Sequence, residues 1–69
     1  MSASLVEPLT EREIKVLQLL RGSLLIREIA TELGVSPNTI KTQTQAIYRK
    51  LGVGTRYAAI TRGQDTGIL

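Results

Sequence analysis

The sequence has no cysteine and no histidine. The first absence removes disulfides and thiolate metal sites. The second removes the commonest general base and a frequent zinc ligand. Tryptophan and phenylalanine are also missing, and two tyrosines are the only aromatic residues. Any core must therefore be aliphatic. No apolar run approaches the ~18 residues of a membrane span, and no signal-peptide core is visible. At 69 residues the chain makes one domain at most, with a thin core and a small margin of stability. No phosphate loop, metal constellation or nucleophile–base pair is present. The reading is a non-enzyme that needs no cofactor and no metal, and has no membrane partner.

Acid is scarce in one half. Residues 1–35 hold five acids (Glu7, Glu11, Glu13, Glu28, Glu32) against four bases, a balance of −1. Residues 36–69 hold five bases (Lys41, Arg49, Lys50, Arg56, Arg62) against Asp65 alone, a balance of +4. A domain with one basic half suits a polyanion.

What is there reads as four short helices and no strand, an all-α fold. Residues 1–8 lack periodicity and are expected to be a flexible leader, with the domain over 9–69. Thr10 and Glu13 have the spacing of a capping box, flanked by Leu9 and Ile14 as a hydrophobic staple. Ile14, Leu17 and Leu20 then repeat at helical spacing with Val16 beside them. Arg21 and Gly22 make an end. A second helix is predicted from about 26 to 33. Ile29, Ala30 and Leu33 form its inner stripe, Gly34 its left-handed stop, and Ser23 the nearest capping side chain. Ser36 and Pro37 form an N-cap and first helical residue. The third helix runs to Leu51, with Gly52 closing it. A fourth is predicted from Thr55 or Arg56 to Arg62, leaving a tail from Gly63 to Leu69.

The third helix is the informative one. At 100° per residue, Ile40, Thr44, Ile47 and Leu51 share a wedge of roughly 60°, the core stripe. Asn38, Lys41, Thr42, Gln45 and Arg49 occupy an opposite sector of roughly 100°. All five can hydrogen-bond, and none is acidic. A solvated helix face ordinarily mixes Glu with Lys to gain i,i+4 pairs; this one does not. Lys can donate to guanine, and Asn and Gln can pair with adenine. Thr can touch a thymine methyl, and Arg serves bases or phosphates. Two helices joined by a short Gly-containing turn, the second with such a face, describe a helix-turn-helix. Glu13 reads as a cap rather than a catalytic acid, and Glu28 as a structural partner. Tyr48 reads as packed at the margin of the core.

Ordered matches now accumulate: Leu9-Thr10-Glu11-Arg12-Glu13, Val16-Leu17, Glu28-Ile29-Ala30, the stretch 33–42, the stretch 47–53, Thr55-Arg56 and Ala59. With these the chain resembles the LuxR-type helix-turn-helix DNA-binding domain, the output module of bacterial transcription regulators. The resemblance covers about residues 9–69. Residues 47–53, and the loop length before Arg27-Glu28, look most like the large ATP-binding regulators of that family. The resemblance implies base-edge contacts from Lys41, Thr42 and Gln45. It implies phosphate contacts from Ser36, Asn38, Thr39, Arg49, Lys50 and Arg56. Taken by itself, Arg56 fits a pairing inside the domain as well as a phosphate. Helix 4 would be the dimer surface, with Tyr57 and Thr61 facing outward. The implied partners are double-stranded DNA, a second copy, RNA polymerase and an upstream sensor domain in a longer chain, all in the cytoplasm. The chain departs from the family at Gln43, where His is common. It departs again at Leu24, Leu25 and Ile26, which replace polar residues. Those three could form an apolar edge, and the alternative function is a protein-interaction module without DNA binding.

Overall fold

The computed structural model describes residues 8–69. The proposed leader lies outside the described residues apart from Pro8. Four helices follow one another: α1 (Glu11–Leu20), α2 (Ile26–Leu33), α3 (Pro37–Leu51) and α4 (Arg56–Asp65). There is no strand among the described residues, and no helix long and apolar enough to cross a membrane. Lengths are 10, 8, 15 and 10 residues. Isolated helices shorter than about 12–15 residues are marginal in water, so packing must stabilise at least three of the four.

That packing is aliphatic. Val16, Leu17 and Leu20 of α1 meet Ile29 and Ala30 of α2, Ile40, Ile47 and Leu51 of α3, and Ala59 of α4. Leu9, Leu24, Ile26, Leu33, Val35 and Val53 close over the margins. The stripe on α1 is rotated from the one expected. Val16 is fully buried, whereas Ile14 is only half-buried. Residues 13, 16, 17 and 20 define the inner side, and Ile14 lies about 110° from its centre. Glu13 is thereby drawn to the core margin, which matters below.

Three helices end in the same way. Gly34, Gly52 and Gly67 have positive φ. After each, the next N–H reaches five residues back: Val35 to Ala30, Val53 to Tyr48, Ile68 to Gly63. This is the Schellman arrangement, which satisfies carbonyls that a helix end leaves open and turns an apolar residue back onto the core. The third of these corrects the expected end of α4. The helix continues past Arg62 to Asp65, and Ile68 and Leu69 pack back on the core rather than forming a tail. Gly63, expected to begin the tail, is buried inside α4. A Cβ there would lie 3.0 Å from Leu69 Cδ1 and 3.1 Å from Leu17 Cδ2. Its missing side chain lets α4 approach α1.

Ile47→Ala removes a fully buried side chain and should cost about 2–5 kcal/mol. Tyr57→Ala, at an exposed site, should stay within about 0.5 kcal/mol. Urea titrations followed by helical circular dichroism measure both.

Candidate nucleic-acid interface

The interface is built from the turn outward. Gly34, at φ 70°, reverses the chain after α2, and Val35 drops onto the core. Ser36 Oγ accepts from the Thr39 N–H at 3.2 Å, starting α3, and Pro37 occupies the first helical position. The two hydroxyls, Ser36 Oγ and Thr39 Oγ1, lie 3.0 Å apart. Ser36, Asn38 and Thr39 are exposed around this helix start.

Burial of Ile40, Thr44, Ile47 and Leu51 then fixes the roll of α3. Lys41, Thr42, Gln45 and Arg49 are left exposed along one side, in line with Asn38. The sequence-predicted face is therefore one continuous surface, with no carboxylate of α3 within it. Gln43 is half-buried on the flank. Tyr48 packs against the core at its edge. Burial raises the Tyr48 pKa above its usual 10.0, the nearby Arg56 charge offsetting part of that rise. Its hydroxyl stays protonated at neutral pH.

Two of the residues assigned to phosphate turn inward. Lys50 Nζ donates to Glu13 Oε1 at 2.8 Å in a pair largely shielded from solvent. The Arg56 guanidinium donates to the carbonyls of Leu20, Gly22 and Leu24 at 2.8, 3.2 and 2.8 Å. Arg62 Nη1 meanwhile donates to the Leu51 carbonyl at 3.0 Å, at the end of α3. Lys50, Arg56 and Arg62 of the second half thus have partners inside the domain. Glu13 offsets the Lys50 charge, whereas the neutral carbonyls orient Arg56 and Arg62 without cancelling theirs, and Lys41 and Arg49 are the bases on the outer face of α3.

The apolar edge also contracts. Leu24 and Ile26 pack against the core, and of the three only Leu25 is exposed. No capping side chain starts α2. Its N-cap is Leu25, and the carboxylate of Glu28 accepts from the Leu25 N–H at 2.7 Å, half of a capping box. Ser23 plays no such part. On α4, Tyr57 is 81% exposed and Thr61 half-buried.

Fold and face together define a helix-turn-helix regulatory module, with α2 and α3 as the pair and α1 and α4 supporting them. The chain belongs to the luxR family of bacterial regulatory proteins, whose model matches residues 7–62. It is 43% identical over 61 residues to the transcriptional regulatory protein YdfI of Bacillus subtilis (strain 168). That match covers 88% of this chain and 29% of YdfI. It superposes with a TM-score of 0.87 on the crystal structure of the response regulator ChrA of a heme-sensing two-component system. The identity there is 41%, over 91% of this chain and 31% of ChrA. The chain thus spans about three tenths of each relative. Membership of this family makes the module one of transcription regulation and not an enzyme.

The Glu13–Lys50 pair has a pH signature. Burial acts to raise the Glu13 pKa. The hydrogen bond and charge of Lys50 and the hydrogen bonds of Thr10 outweigh it, and the net value falls below the ordinary 4.5. A depressed carboxylate contributes stability above its unfolded pKa and loses it as pH falls through the folded value. Stability should therefore decline on acidification below about 4.5. Glu13→Gln should flatten this part of the profile in urea titrations across a pH series.

Proposed function

We propose that this chain binds duplex DNA in a sequence-specific manner, with α3 in the major groove. The observation that supports this most is the continuous, exposed, carboxylate-free face of α3, held outward by the core stripe behind it. Lys41, Thr42 and Gln45 read base edges. Ser36, Asn38, Thr39 and Arg49 position the helix against phosphates. Arg49 is exposed, whereas the head groups of Lys50 and Arg56 turn inward onto Glu13 and onto the carbonyls of the α1–α2 link, so those two are left out of that set. Phosphate contacts supply much of the affinity, so binding weakens as salt rises. Two copies pair through the outer side of α4, at Tyr57 and Thr61, and read two half-sites. In a longer regulator the module works in the cytoplasm under an upstream sensor domain, with RNA polymerase as a further partner.

Selection of binding sites from a random pool of duplex DNA tests the reading. A two-fold symmetric enriched site supports both binding and pairing; a single half-site removes the pairing. No enrichment and no salt-dependent binding sinks the proposal. On the enriched duplex, Lys41→Ala should weaken binding by about 1–3 kcal/mol and relax the preference at one base position. Tyr57→Asp should abolish cooperative occupancy of two half-sites while leaving half-site binding intact. Both are read by electrophoretic mobility shift.

A further inference from the structure

The link from α1 to α2, residues 21–25, is held from outside. At its far end the helix start rests on Glu28 alone, since Leu25 has no side-chain acceptor. One residue earlier, the Leu24 carbonyl receives Arg56 Nη2 at 2.8 Å. The same Nη2 reaches the Gly22 carbonyl at 3.2 Å, and Nε reaches the Leu20 carbonyl in the last turn of α1 at 2.8 Å. One side chain of α4 therefore ties the end of α1, the middle of the link and the residue preceding the α2 N-cap. Leu20 lies in the last turn of α1, where helix carbonyls lack intrahelical partners, and Gly22 and Leu24 lie in the link. Arg56 cannot swing toward a phosphate without releasing all three.

We infer that Arg56 is a positioning residue for DNA binding, which seats the first helix of the helix-turn-helix without itself contacting DNA. This rests on the reading of α3 as the recognition helix. Ile29 and Ala30 of α2 are buried in the shared core, and the turn at Gly34 and Ser36 carries that placement into the start of α3. A loosened Leu24 frays the first turn of α2. DNA must then select the ordered fraction, and apparent affinity falls by that fraction. Lysine is a poor replacement, because one ammonium lacks the planar fork that spans three carbonyls.

The roles of phosphate ligand and positioning residue separate in the salt dependence. A lost phosphate contact lowers the slope of log K against log salt by about 1. A lost positioning residue lowers K and leaves the slope alone. Arg56→Gln and Arg56→Lys would be titrated against the enriched duplex over a salt series, with amide exchange measured on the free proteins. We expect about a ten-fold loss of affinity, the scale of one charge-assisted hydrogen bond, at unchanged slope. Protection should fall at Glu28 and Ile29 and persist at Ile47 and Leu51. A slope smaller by about 1 makes Arg56 a phosphate ligand and overturns the inference. Unchanged affinity in both variants also overturns it.

Either substitution could unfold so small a domain, so the wild-type chain supplies a third reading. The Arg56 Nε–H resonance should keep its shift and slow exchange when DNA is added. A shift or coupling to phosphorus overturns the inference. A wild-type chain that binds no duplex overturns the reading of α3 as well. A binding wild type with unaffected Arg56 variants overturns the role of Arg56 alone.

Discussion

The roll of α3 about its own axis is fixed by four side chains, Ile40, Thr44, Ile47 and Leu51, which all point into one core. The rest of the molecule serves that placement. The aliphatic core lacks large aromatic rings, so it draws its area from many small contacts across all four helices. A side chain that left this stripe would expose apolar surface and rotate the opposite face together with it. The outward set of Asn38, Lys41, Thr42, Gln45 and Arg49 is therefore a consequence of burial. Nothing on the outer face needs to hold itself there.

Helix ends are the second concern of so small a domain. With four short helices, a large share of the backbone lies within a turn of some terminus, where N–H and C=O groups lack intrahelical partners. The chain meets this locally at Thr10, Ser36 and Thr55, whose hydroxyls cap the starts of α1, α3 and α4. Three glycine turns close the ends of α2, α3 and α4. The end of α1 and the start of α2 have no such local device beyond Glu28. They depend on Arg56, as the end of α3 draws on Arg62. Two arginines of α4 thus act as tertiary caps for other helices.

Luxr-type membership and the helix-turn-helix agree because both follow from the same segment. Residues 33–42 contain the Schellman glycine, the N-cap serine, the first-turn proline and the beginning of the outer face. Each residue type there is set by local backbone chemistry or by the side it faces.

The helix pair, its turn, the end of α2, the bounds of α3 and the two faces of α3 were legible along the chain. These are properties of neighbours in the chain: a cap bonds three residues on, and a stripe repeats every three or four. Packing set which α1 residues face inward and where α4's end at Asp65 and the head groups of Lys50, Arg56 and Arg62 lie. Glu13 and Lys50 are 37 residues apart, and Arg56 lies 32 to 36 residues from the carbonyls it holds. A long cationic side chain carries no periodicity that reveals its partner. Its choice between solvent, phosphate and an open carbonyl is made only when packing brings a helix end within reach. The same holds for Gly63, which reads as the start of a tail until α1 and Leu69 are seen against it.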